Sequence, residues 1–166
     1  GPSSAFVLVT DDPSLPDKVW EQMMIQLKDE PRRDIIAQSM KNSGYIVAKD
    51  MELAIEIMNG VAPEHLCIEV KDPMDVLSKI RNAGSIFVGP YTPIAAGDYA
   101  SGTNHVLPTS GYATMCSGLT VSMFRKTSTV QMLTKEGLAA LAPTINTLAG
   151  VEGLHAHANS VKIRNA

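Results

Sequence analysis

The chain has 166 residues, 45% of them apolar, a formal net charge of −3 and two cysteines, the profile of an ordinary soluble globular chain of about one domain. Mild acidity, with neither basic runs nor aromatic-plus-basic stripes, argues against nucleic acid or an anionic membrane as partner. No apolar stretch approaches the roughly 20 residues that span a bilayer and no signal peptide opens the chain, so a cytoplasmic protein is expected, with Cys67 and Cys116 as buried reduced thiols.

Residues 5–10, AFVLVT, form a continuous apolar run suited to a buried parallel strand, closed by the turn-forming Asp11-Asp12-Pro13. From about 16 to 30, Val19, Trp20, Met23, Met24 and Leu27 recur at helical spacing with charges between them. A second helix is expected over about 31–42, with Pro31 in its first turn and Gly44 as a left-handed cap behind it. Residues 45–48 read as the next strand, and Asp50 as the N-cap of a helix carrying Leu53, Ile57 and Met58. A third strand covers 66–70. Asp72 and Pro73 then stand as N-cap and first residue of a helix through Ile80, with Asp75 in a shortened capping box. Residues 85–88 make a fourth strand. Strands alternating with helices predict a mostly parallel α/β sheet.

Residues 89–111, GPYTPIAAGDYASGTNHVLPTSG, set an acid and a histidine on glycine-rich backbone too irregular for a helix or strand. Sites are often built on such loops. From Thr134 the chain is alanine- and leucine-rich with helical periodicity, and 155–164 continues as a short helix. No strand signal returns, so the part from about 117 reads as an arm with an apolar face along Leu138, Leu141, Ile145 and Leu148.

All four histidines fall in three clusters: Ala62-Pro63-Glu64-His65-Leu66, the glycine-rich loop with Asp98 and His105, and Glu152-Gly153-Leu154-His155-Ala156-His157. Glu64 and His65 are either solvated loop residues or a pair that moves protons near neutral pH, the carboxylate deprotonating a water. Asp98 either caps a turn or offers a carboxylate oxygen to zinc. His105 is equally a loop hydrogen-bonder or a site residue. His155 and His157, two apart, lie on different sides of a helix and could share one metal only on extended backbone.

Together the segments SSAFVLVTD, APEHL, RNAGSIFVGPYTP, GDYASGTNHVLPTSG, TKEGLAALAP and EGLHAHANSVKIR resemble the C-terminal part of histidinol dehydrogenase, a family whose chains are more than twice this long. The resemblance implies an incomplete Rossmann-like α/β domain over 1–116 carrying the Glu-His pair and the site loop, and a helical, dimer-forming arm over 117–166. It implies zinc and NAD as cofactors and L-histidinol as substrate, oxidised through the aldehyde to L-histidine with two NAD, the last step of histidine biosynthesis.

By the same resemblance His65 is the base for both hydride steps and Glu64 activates the water that attacks the aldehyde. Asp98 and His157 bind zinc and substrate, and His105 and Glu152 contact substrate. His155 receives no role, and no residue is assigned to NAD. The family's other two zinc ligands, a glutamine and a histidine, precede the point where this chain begins, so an incomplete zinc site and an inactive fragment are expected. The partner expected is a second copy of the chain, in a homodimer whose sites the subunits share. A non-catalytic assembly or metal-binding module is the alternative; a generic zinc hydrolase is weaker because HExxH is absent. Because Glu64 and His65 precede their strand, whereas open α/β sheets bind ligands beyond the carboxyl ends, a site between domains or subunits is expected.

Overall fold

A computed structural model describes residues 1–165. The chain divides into two compact units, Gly1–Phe124 and Arg125–Ala166.

The first unit rests on two parallel ladders. Strand β1 (Val7–Thr10) pairs with β2 (Gly44–Val47), Val7 opposite Gly44, and the chain between them forms α1 (Leu15–Gln26) and α2 (Arg33–Met40). After α3 (Met51–Val61), β3 (His65–Ile68) pairs with β4 (Ser85–Val88), His65 opposite Ser85, across the short helix α4 (Pro73–Leu77). Parallel neighbours need such crossovers, because no tight hairpin can join them. The α/β class and the parallel pairing are therefore as the alternation predicts, delivered as two two-stranded sheets.

Two strands cannot cover each other's faces, and this changes the expected burial. Of β1 only Thr10 is buried, and all of β2 is exposed. Successive strand residues face opposite sides, so in β3 Leu66 and Ile68 enter the core while Cys67 between them lies exposed. The expectation of a buried Cys67 thiol fails because, among the described residues, none forms a second layer on the far face of this sheet. Cys116 is exposed as well, just past a short turn (Tyr112–Thr114) beside the exposed Met115.

The core of the unit joins Ile55 of α3, Leu66 and Ile68 of β3 and Val76 of α4, with Met51, Met58 and Ile86 packed around them. The buried residues of α3 are thus Ala54, Ile55 and Asn59, while the expected Leu53, Ile57 and Met58 are half-buried, Met58 packing against the cluster. Asn59 has a structural use that its polarity hides. Its Oδ1 accepts from the Arg81 and Asn82 amides, at 2.7 and 3.2 Å, and its Nδ2 donates to the Lys79 carbonyl at 3.1 Å. The loop into β4 is pinned to α3 in this way.

Helix ends followed the sequence in part. The Asp50 carboxylate accepts from the Leu53 amide at 2.8 Å, as an N-cap should. Asp72 makes no cap hydrogen bond, α4 stops at Leu77, and Asp75 is taken by Lys79 at 2.8 Å, one turn on. Gly44 is not a left-handed cap: its φ is not positive and it opens β2, while turns through Lys41–Ser43 end α2. Pro31 stands ahead of α2, which begins at Arg33.

In the second unit α6 (Lys135–Val151) is capped by Thr134, whose hydroxyl accepts from the Gly137 amide at 3.0 Å. Gly153, at φ +70°, turns the chain into α7 (His155–Lys162). The two helices meet through small residues, Ala142 and Ala149 of α6 and Ala158 and Val161 of α7 being buried. On α6, Leu141 and Leu148 stay exposed, and Leu138 and Ile145 are half-buried.

Candidate active site

The segment that carries Glu64 and His65 begins where α3 ends. Ala62, fully buried, adopts the left-handed conformation with φ 47°, and its amide donates to the Met58 carbonyl. A non-glycine residue there costs roughly 1–2 kcal/mol. The turn it makes lets the next residues enter β3 at once: the Glu64 carbonyl accepts from the Ser85 amide and the Pro63 carbonyl from the Gly84 amide, both at 2.9 Å. Glu64 and His65 thus stand at the amino end of the β3–β4 ladder, His65 as its first paired residue.

Asp98 reaches the same end by a reversal. Beyond β4, Gly89 at φ +79° and a hydrogen bond from the Thr92 hydroxyl to the Val88 carbonyl turn the chain, and residues expected to be irregular form a helix, α5 (Ile94–Tyr99). Gly97 packs against Phe87, and one residue on, Asp98 Oδ1 lies 3.9 Å from His65 Nε2. The loop past α5 is tied back by the Thr103 hydroxyl, which donates to the Gly97 carbonyl at 3.0 Å.

At 3.9 Å the His65–Asp98 pair is within coulombic reach but beyond a hydrogen bond. His65 Nε2 is itself buried and has no hydrogen-bond partner among the described residues, although the side chains of His65 and Asp98 are 25% and 31% exposed. An unpaired buried polar atom costs about 1–3 kcal/mol. The imidazole is held by an apolar neighbour, the Phe87 ring, at a centroid separation of 5.9 Å.

The other candidate residues are placed differently. His105 is exposed in the loop beyond α5, where Asn104 accepts from the Val106 amide. Glu152 ends α6, while His155 and His157 lie in the first turn of α7, all three exposed. Being helical, His155 and His157 do not converge on one metal. Among the described residues no three His, Cys, Asp or Glu side chains gather as metal ligands. A zinc ion asks for three or four protein donors, more than the described residues bring together at any one place. Phe87, Gly97 and Thr103, which arrange the site, carried no ionisable group to mark them in the sequence; only the tight spacing of Phe87 and Gly97 around a turn could have.

A family model described as histidinol dehydrogenase matches residues 1–165. Among curated relatives, the histidinol dehydrogenase of Methanosarcina barkeri is 47% identical over 163 residues, covering 98% of this chain and 38% of its own. That of Aliivibrio fischeri is 49% identical over 164 residues, covering 99% and 37%. The crystal structure of histidinol dehydrogenase from Elizabethkingia anophelis superposes with a TM-score of 0.93 at 39% identity, over 99% of this chain and 38% of that one. The chain spans little more than a third of the length of these proteins.

Proposed function

Because the chain belongs to the histidinol dehydrogenase family, we propose that it is the C-terminal part of an enzyme of histidine biosynthesis that oxidises L-histidinol to L-histidine through the aldehyde, with hydride passing to NAD in each of two steps. The observation that carries this reading is His65 Nε2, buried without a hydrogen-bond partner and 3.9 Å from the Asp98 carboxylate. A general base needs a nitrogen lone pair that no protein donor has claimed, and catalytic contacts often close only when substrate arrives.

In the first step His65 accepts the alcohol proton while hydride leaves the carbinol carbon for the nicotinamide, and the carbon–oxygen double bond forms. Glu64 then takes a proton from the water whose oxygen adds to the aldehyde carbon, while His65 returns its proton to the aldehyde oxygen, so that the hydrate forms and His65 is again a base. In the second oxidation His65 receives one hydroxyl proton of the hydrate as the second hydride departs, and the carboxylic acid that forms releases its proton to solvent, leaving the carboxylate. His105 and Glu152 are assigned to holding the substrate, with Asp98 and His157 beside it. Zinc, when bound, would serve as Lewis acid and template. Asp98 and His157 would be two of its ligands, with the rest supplied from outside these 166 residues; the chain alone is accordingly expected not to turn over. A cytoplasmic homodimer that shares its sites completes the proposal.

The test uses a full-length enzyme carrying this chain, supplied separately with alcohol and with aldehyde. Glu64→Gln should slow aldehyde oxidation by roughly 100-fold or more while alcohol oxidation changes far less, a span typical of losing a general base. His65→Asn should slow both. Equal losses in the two half-reactions for Glu64→Gln would remove its water-activating role.

A further inference from the structure

Phe87 occupies the third position of β4, is 5% exposed, and sets its ring against the His65 imidazole with the planes 35° apart. The same ring is in contact with α5. A Cβ built on Gly97 would stand 2.7 Å from Phe87 Cε1 and 3.0 Å from Cζ, and 3.3 Å from Thr103 Oγ1. Carbon atoms do not approach that closely, so a side chain at position 97 would require the Phe87 ring to move. Gly97 does not have positive φ, and glycine within a helix costs about 1 kcal/mol relative to alanine. Space, rather than backbone conformation, is therefore what calls for glycine here.

One phenyl ring consequently touches both halves of the site: the imidazole directly, and the carboxylate through the backbone of the residue preceding Asp98. An apolar ring can fix an imidazole without offering it a hydrogen bond, which matches the unpaired Nε2. We propose that Phe87 is a positioning residue that sets the separation of His65 from Asp98, with Gly97 admitting its ring. The proposal rests on the reading of His65 as the base.

Three variants test it: Gly97→Ala, Phe87→Met and the two combined. In the isotope-labelled 166-residue chain, Gly97→Ala should abolish the Overhauser contact between the His65 and Phe87 rings and shift the imidazole proton signals. Phe87→Met, which keeps buried volume but loses the flat ring, should shift the same signals with little change in melting temperature. In a full-length enzyme carrying the chain, each single variant should lower kcat roughly 10- to 100-fold, as misplacement of a catalytic group by about 1 Å does, and change KM far less. The double variant should lose no more than the worse single one, because the thioether yields to the new Cβ; independent roles would multiply instead. If Gly97→Ala does not fold, Phe87→Met decides alone. A folded Phe87→Met with unchanged His65 signals and kcat within about twofold of the parent would overturn the proposal. Should the unaltered enzyme fail to oxidise histidinol, the functional reading falls while the His65–Phe87 Overhauser contact, present in the parent and lost in Gly97→Ala, still decides whether Gly97 sets the ring against His65.

Discussion

At the scale of single residues, the chain shows how partial desolvation changes the chemistry of a side chain that still reaches solvent. Cys67 is exposed yet its thiol is pushed above the ordinary range, first by partial desolvation against the sheet and then by the neighbouring Glu69 carboxylate. A raised pKa keeps the unreactive thiol form to higher pH. Iodoacetamide should therefore label Cys67 more slowly than a free cysteine at pH 8, with the rate climbing only at more alkaline pH, and Glu69→Gln should speed it. Labelling of Cys67 with the pH profile of an unperturbed thiol would contradict this. The apolar context of Cys67 was legible in the sequence; its exposure was not, since a run such as Leu66-Cys67-Ile68 reads the same whether a strand has one covered face or two. His65 and Asp98 were legible as candidates, but only the reversal through α5 brings them together.

At the scale of elements, strands and helices were marked by period, and their ends by caps that sometimes lost to other partners. Asp50 and Thr134 cap as their chemistry suggests, whereas Asp75 is claimed by Lys79. The tie between α3 and the loop into β4 is the part that no local pattern announces. Asn59, a polar residue near the end of α3, is 5% exposed and satisfies three backbone groups of residues 79–82. Asn59→Ala should lower unfolding stability by about 2–3 kcal/mol, since net hydrogen bonds of about 1 kcal/mol each are lost and acceptors or donors are left unpaired. Urea denaturation should show a lower midpoint at an unchanged slope; a midpoint equal to the parent's would mean that the loop holds without the clamp.

At the scale of the whole molecule, the residues that the proposal assigns to the site lie in both units in sequence, Glu64, His65, Asp98 and His105 in the first and Glu152 and His157 in the second. The proposed sharing between subunits predicts complementation. Full-length subunits carrying His65→Asn, refolded together with subunits carrying His157→Asn, should recover activity, because in a mixed dimer one site inherits both defects and the other neither. Confirmed mixed dimers that stay inactive would refute the sharing. The exposed leucines of α6, Leu141 and Leu148, fit a helix that finds apolar cover elsewhere in such an assembly.

The two ladders also differ in how far the chain must travel to close them. β3 and β4 are separated by residues 69–84, while β1 and β2 are separated by residues 11–43, about twice as many. Doubling a loop adds only about 0.6 kcal/mol of closure entropy, but the shorter excursion also ends on the cluster of Ile55, Leu66, Ile68 and Val76, whereas the longer one ends on strands that stay largely exposed. Folding should then be ordered in time, with the strand that begins at His65 locked in place first. In pulse-labelled hydrogen exchange during refolding, amides of β3 and β4 should become protected before those of β1 and β2; the reverse order would show that α1 and α2, not the buried cluster, start the process. The amino end of β3, where the proposed base stands, would on this account be among the earliest parts of the protein to exist.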